Sequence, residues 1–467
     1  MLFSSITFSY YFLPLTILLY FLIPMPGDRV SFRNAFLLLA SVIFYAWGEP
    51  YYLFLVGAQI LSGWGFGLLI HRWRGTKKAK AALIACVSVG LGFLMFYKYA
   101  DFFITNVNLI PGLDIPLLKL SLPIGISFYT FQIFSYDIDL YRGKTAPQKN
   151  LADFATYTML FPQLMAGPIV RYVDIEKQLV SRGHSLEEFS LGARRFVAGL
   201  AKKVLFANML GELVEILKTG DEKSLLASWL CVFAYGLHVY FDFSGYSDMA
   251  IGLGRIFGFK FFENFNYPFI SKSITEFWRR WHISLGSWFR DYVYIPLGGN
   301  RKNQVFNIMT VWFLTGFWHG AGWNFIVWGM FFGVLLLGEK LLWGKGLEKA
   351  PAILRHAYVL LIVLVSWTFF DSASMGEAAA RVGGMFGFGI TGLSGTASLY
   401  YLRSYLLTLV LAALGATPLP KRLFERLEKR APRIMAVIEP AGVAVLLLLA
   451  TAFLVDGSFN PFIYFRF

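Results

Sequence analysis

Charged residues are scarce in this chain. Only 15% of its 467 residues are Asp, Glu, Lys or Arg, whereas 57% are hydrophobic. A soluble domain carries about 25% charged residues, so the shortage excludes an ordinary globular class and a disordered one. Cysteine is scarcer still. Cys86 and Cys231 both fall in apolar runs, which leaves no disulfide framework and no CxxC metal site. Both read as small buried hydrophobes. Acidic residues are outnumbered, 28 against 42 basic, for a net charge of +14. The basic surplus sits in short loops between hydrophobic runs, as the positive-inside rule requires, and so does not call for a nucleic-acid partner. Catalytic templates are missing too: there is no G-x-S-x-G elbow, no P-loop and no H-E-x-x-H. Metal ligands at useful spacing amount to His238 with Asp242, too few for a zinc site, so no metal is expected.

What is present is apolar sequence in long runs, rich in Phe (48), Tyr (24) and Trp (13). Runs fall near 3–23, 34–47, 51–70, 82–104, 117–140, 155–170, 225–257, 304–317, 323–343, 357–370, 399–415 and 440–455. Their length predicts an all-α, polytopic integral membrane protein with about eleven transmembrane helices plus one or two re-entrant or interfacial pieces. A barrel would instead show short alternating segments. The longest polar stretches, about 171–203 and 417–439, are too short for a separate domain, so residues 1–467 read as one transmembrane domain. Met1-Leu-Phe-Ser-Ser lacks the basic n-region of a cleavable signal, and Tyr10 to Ile23 reads as a retained span. The basic loop His71–Lys80 orients the chain with that loop in the cytoplasm. Counting spans puts Arg29, Arg33, Arg142, Lys144, Lys149 and the Lys421–Arg433 stretch on the same side, with both termini external to the cytoplasmic membrane.

One ionisable group stands out against this background. His319 lies in Gly316-Phe-Trp-His-Gly-Ala-Gly-Trp-Asn-Phe-Ile-Val-Trp-Gly329, with apolar sequence on both sides. A histidine at that depth is costly and by default suggests function. Gly316, Gly320 and Gly322 weaken the helix there, and broken backbone at membrane depth survives only inside protein or beside a watery cavity. His319 is therefore a general acid/base candidate. Residues 273–290 read as a separate interfacial helix. Ser273-Ile-Thr-Glu276 fits a capping box, Trp278, Trp281, Leu285 and Trp288 recur at helical spacing, and Arg279, Arg280, His282 and Arg290 supply polar positions. For His282 an amphipathic and a catalytic role weigh about equally. His71, His184 and His356 read as solvated residues. His238 and Asp242 share a helix face and are expected to hydrogen-bond to each other. Asp248 and Arg255, seven residues apart, suggest an internal ion pair. A second Pro/Gly break falls at Phe161-Pro-Gln-Leu-Met-Ala-Gly-Pro-Ile169. Asp137 and Asp139 receive no assignment.

Several of these stretches resemble the membrane-bound O-acyltransferase family. The carrying residues are Phe161–Arg171, Tyr240–Ala250, Asn266-Tyr-Pro-Phe269, Phe277-Trp-Arg-Arg-Trp-His-Ile-Ser-Leu285, Arg290–Gly299 and Gly316–Gly329, within about 120–340; Met1–Ser5 and Asn460–Phe465 are similar as well. The likeness is closest to the bacterial branch that contains the alginate O-acetyltransferase membrane subunit and its glycan-acetylating relatives. The membrane protein of teichoic-acid D-alanylation is more distant. The resemblance implies a helical bundle around a central funnel, with His319 as the family's membrane histidine and His282 as its second. It implies acetyl transfer from cytoplasmic acetyl-CoA, with no permanently bound cofactor, towards an exported polysaccharide through an external partner of the SGNH-hydrolase type. His319 would accept the proton of an attacking hydroxyl. His282, Asn324 or freed backbone N–H groups would steady the oxyanion, with Asp242 and Asp248 as supporting polar groups. An acyl-histidine intermediate is a weaker alternative. Arg279, Arg280 and Arg301 would attract coenzyme A phosphates. The rival reading is a flippase for a lipid-linked glycan with a His/Asp proton relay; it calls for inverted repeats, and none is evident.

Overall fold

The structure, a computed structural model, describes residues 1–25, 30–165, 167–457 and 460. Arg29, Ala166 and the closing residues 461–465, all named above, lie outside the described residues. Every regular element among them is helical. In hydrocarbon each backbone N–H must find its acceptor within its own segment, and an apolar run free of proline does this as a helix. Seven helices are long and apolar enough to cross a membrane: Leu53–Arg72, Lys77–Val107, Leu225–Ile256, Trp323–Lys349, Ala352–Asp371, Thr396–Gly415 and Pro432–Asp456. Thr7–Leu22 and Ser31–Ala46 are shorter apolar helices.

Three of the predicted runs take other forms. Around 117–140 the chain stays irregular until Ile126, because Pro116 and Pro123 remove donors, and only Ile126–Tyr141 is helical. The 155–170 run breaks at Leu160 into Leu151–Met159 and the single turn Phe161–Leu164. The run at 304–317 becomes the 16-residue helix Gln304–His319, about 24 Å long against a hydrocarbon core of about 30 Å.

The chain divides into two compact units, Met1–Phe196 with Ser247–Phe262, and Val197–Tyr246 with Glu263–Phe467. In the first, the helical stretches 186–196 and 247–256 meet through alternating charged and glycine rungs. Glu188 pairs with Arg255 at 3.2 Å and Arg195 with Asp248 at 2.8 Å. Between them, a Cβ on Gly192 would stand 2.6 Å from the Gly252 carbonyl oxygen, and one on Gly252 equally close to that of Gly192. Small residues thus let the helices touch, as at membrane helix contacts generally. The expected Asp248–Arg255 pair does not form. Two turns hold those residues about 10 Å apart along the axis, and each finds its partner on the facing helix instead.

The second unit has contacts of the same kind. A Cβ on Gly245 would stand 2.8 Å from the Gly199 carbonyl oxygen, and Lys203 Nζ lies 2.6 Å from Asp242 with both side chains at most 3% exposed. The expected His238–Asp242 hydrogen bond is likewise absent: His238 Nδ1 lies 2.6 Å from the Ala207 carbonyl oxygen. His184, read as solvated, is half-buried in the first unit. Its Nε2 lies 2.8 Å from the Tyr20 hydroxyl, beside Arg33 and Arg182. Burial and these two guanidinium groups lower its pKa from 6.5 to about 4.

Two outcomes follow. Lys203→Met strands a buried carboxylate and should lower stability by about 3–5 kcal/mol, whereas adding Asp242→Leu should restore much of the loss in thermal melts of the detergent-solubilised protein. The His184 shift is downward, so the unfolded chain binds the extra proton first. Its contribution is present above pH 6.5 and fades as pH falls towards 4. A His184→Gln variant should show a flatter loss of melting temperature across that window than the wild type.

Candidate active site

His319 is the last residue of the Gln304–His319 helix; Gly320 to Gly322 are non-helical and the next helix starts at Trp323. The two helices can lie close because Gly316 and Gly329 lack a Cβ, which would collide with the carbonyl oxygens of Phe325 and Trp312 respectively. The hairpin leaves His319 6% exposed inside an aromatic cage. Its ring centroid lies 5.0 Å from Trp318, 5.2 Å from Trp328 and 5.2 Å from Phe370.

His282 reaches the same cage from the other side, its ring 6.0 Å from that of Trp318 and 4.6 Å from Phe243. The expected single helix over 273–290 is broken here. Ile274–Arg280 and Ile283–Phe289 are separate helices, and His282 between them has φ +45°. Of the predicted capping box, the Ser273 side chain does accept from Glu276 N–H, but the Glu276 carboxylate accepts from Lys272 N–H rather than Ser273 N–H. Glu339 also holds this turn, accepting from Ile274 N–H, Thr275 N–H and the Thr275 hydroxyl.

The break is made by Asn264. Its backbone carbonyl accepts from Ile283 N–H at 2.9 Å, and its Oδ1 accepts from Ser284 N–H at 3.2 Å and from the Ser284 hydroxyl at 2.8 Å. His282 Nδ1 lies 3.2 Å from the same Oδ1. A backbone N–H can only donate, so Oδ1 is an acceptor and the histidine must present Nδ1–H to it. Burial holds the His282 pKa down at about 3, so the ring is neutral. Nε2 then carries a lone pair, and this buried atom has no hydrogen-bond partner among the described residues. In that tautomer Nε2 is an acceptor and offers no proton to an oxyanion.

A cavity of about 970 Å³ opens against His282. Arg279, Arg290, Lys340 and Arg355 line it, against the acids Glu339 and Glu348. Thr315 lines it as well, one helical turn before His319. Trp278 adds an indole N–H that is buried without a partner among the described residues. The other expected site residues lie elsewhere. Arg280 is held by Glu276 and the Asn266 carbonyl, and neither it nor Arg301 lines the cavity. Asn324 Nδ2 donates to the carbonyls of Phe369 and Ser372, so its amide hydrogens anchor a helix end and none is left for an oxyanion. Asp242 and Asp248 are bound in ion pairs with Lys203 and Arg195. Trp278 and the cations Arg290, Lys340 and Arg355 were missed as cavity residues, and Asn264 as the support of His282; helical spacing had flagged Trp278 and Arg290 as parts of an interfacial face only. No cluster of three metal-binding side chains occurs among the described residues.

A buried imidazole beside a cavity lined by four cations, within a helical membrane chain, suits a membrane enzyme of the group-transfer class. Comparison with known proteins narrows the class. The profile of the membrane-bound O-acyltransferase family matches residues 146–373. The chain is 40% identical to the probable alginate O-acetylase AlgI of Pseudomonas putida, over all of both chains. It is 33% identical to the peptidoglycan O-acetyltransferase of Helicobacter pylori, over 83% of this chain and 80% of that one. It is 30% identical to the teichoic acid D-alanyltransferase of Bacillus subtilis, over 52% of this chain and 65% of that one. The chain belongs to the membrane-bound O-acyltransferase family and is an O-acyltransferase of the membrane. Group transfer, not lipid flipping, is therefore the activity of the chain.

Because Asn324 ties two carbonyls, Asn324→Leu should lower the melting temperature, by an amount equivalent to about 1–3 kcal/mol, in step with any loss of activity. An inactive variant with unchanged melting would return Asn324 to the chemistry.

Proposed function

We propose that this protein takes an acetyl group from cytoplasmic acetyl-CoA and passes it across the membrane for O-acetylation of an exported, alginate-like polysaccharide. An external protein of the SGNH-hydrolase type would complete the transfer. The protein would lie in a bacterial inner membrane with both termini outside. The observation that carries the donor reading is the cavity: it sets four cations around a space that ends one helical turn from His319 and includes His282 in its wall. Coenzyme A is a polyphosphate with a long neutral arm, and phosphate suits arginine and lysine donors. The acceptor reading rests on the relatives named for alginate and peptidoglycan acetylation.

The chemistry needs no bound cofactor. An acceptor hydroxyl attacks the thioester carbonyl while His319 takes its proton. The C–S bond then breaks, and the proton passes to the departing thiolate as coenzyme A leaves as its thiol. The Trp278 indole N–H is the side-chain donor offered to the developing oxyanion, in place of Asn324. His282 Nε2 accepts a hydrogen bond from the substrate or takes part in the proton transfer.

His319→Ala should slow acetyl-CoA cleavage by the purified protein by about 10²–10⁴-fold and abolish polysaccharide O-acetylation in intact cells with export preserved. Unchanged acetylation would remove His319 from the mechanism. Arg290→Ala with Lys340→Ala should raise KM for acetyl-CoA by about tenfold or more with kcat little altered. An unchanged KM would locate the donor elsewhere.

A further inference from the structure

We infer that Asn264 is a positioning residue that fixes the tautomer of His282, holding Nδ1 protonated so that Nε2 offers its lone pair to the cavity. The inference rests on the reading of His282 as part of the acyl-transfer site. It goes beyond that reading by assigning a role to a residue in an irregular loop, eighteen positions before the histidine in sequence.

The geometry carries it. Asn264 is 1% exposed and His282 2% exposed, so their contact is shielded from bulk solvent. The orientation of the amide is not a free choice, because Ser284 N–H, 3.2 Å from Oδ1, must meet an oxygen. The Ser284 hydroxyl donates to the same oxygen at 2.8 Å, so it does not supply a proton to Nδ1, 3.4 Å away. One carbonyl oxygen thus gathers three donors, and the imidazole proton is one of them. In a neutral histidine the hydrogen bond at one nitrogen decides the state of the other. The surroundings reinforce the choice. Phe243 from the Leu225–Ile256 helix and Trp318 from the Gln304–His319 helix pack against the ring in edge-to-face arrangements. The charged groups of the cavity it lines are Arg279, Arg290, Lys340, Arg355, Glu339 and Glu348. His282 also sits at φ +45°, a left-handed conformation that is strained for a non-glycine residue. The backbone bond from Ile283 N–H to the Asn264 carbonyl holds it there. Asn264 therefore sets both where the ring points and which nitrogen is bare.

A merely structural cap would make the same backbone bonds, so the test reads the imidazole itself. Full-length protein labelled with ¹⁵N-histidine, with the His282→Gln variant assigning the resonance, should show a protonated Nδ1 and a bare Nε2 at neutral pH. The opposite tautomer in the wild type overturns the inference outright. Asn264→Asp keeps the acceptor for both Ser284 donors and adds a charge beside the ring. It should fold normally, keep Nδ1 protonated and move the acid limb of acetyl-CoA cleavage upward by about one pH unit or more. Asn264→Leu should lose the tautomer preference and slow cleavage by about tenfold or more. If both variants keep the wild-type rate and pH profile while His282→Ala is inactive, Asn264 is only a cap. If His282→Ala turns over normally, the catalytic reading of His282 falls, and the ¹⁵N spectrum still decides the tautomer.

Discussion

Lys203 and Asp242 form an ion pair, 2.6 Å long, on helix faces with almost no access to solvent. An isolated charge there would be prohibitive, and hydrocarbon offers no partner, so each residue makes the other tolerable. The same constraint organises the rest of the molecule. Glu188 with Arg255 and Arg195 with Asp248 repeat the solution in the first unit, and glycines between the rungs let the backbones approach. In the second unit, Glu339 satisfies one helix start and Asn264 the next. Partners for polar groups, not apolar contact alone, select which helix faces can meet in a chain that is 57% hydrophobic.

Three residues that line one cavity, Trp278, His282 and Arg355, each carry a buried polar atom without a partner among the described residues. His282 Nε2 lacks a donor and the Trp278 indole N–H lacks an acceptor among the described residues. Each would weaken a purely structural core by about 1–3 kcal/mol. A substrate that brings one acceptor and one donor would satisfy Trp278 and His282, and a thioester carbonyl with an attacking hydroxyl has that character. The cations along the cavity match the anionic end of the proposed donor. His319 lies one turn farther along its helix, among aromatic rings that keep its surroundings dry.

Much of this was readable in the sequence because hydrocarbon imposes simple rules. Long apolar runs gave helices, and the glycines around His319 gave the break where it occurs, at Gly320 to Gly322. Prolines 116, 123 and 162 shortened runs that hydropathy alone would count as spans. Pairings were harder. Asp248 and Arg255 share a helix face, yet spacing along one helix says nothing about what the neighbouring helix presents, and Arg195 and Glu188 came from there. His238 illustrates the same limit, since the Ala207 carbonyl that it meets carries no sequence signal. Asn264 was invisible for a related reason: it acts from an irregular loop through its backbone and side chain together, a role that no periodicity marks. The break at Trp281–His282 depends on it, and hence so does the reading of His282 Nε2 as an acceptor.

The central claim is that the cavity beside His282 holds the acyl donor with its carbonyl directed at His319. The most direct measurement is a structure of the full chain bound to a non-hydrolysable acyl-coenzyme A analogue in a lipid nanodisc. The account predicts phosphates among Arg279, Arg290, Lys340 and Arg355, and the acyl carbonyl between Trp278 and His319. A donor bound outside this cavity, or with its carbonyl remote from both histidines, would contradict it.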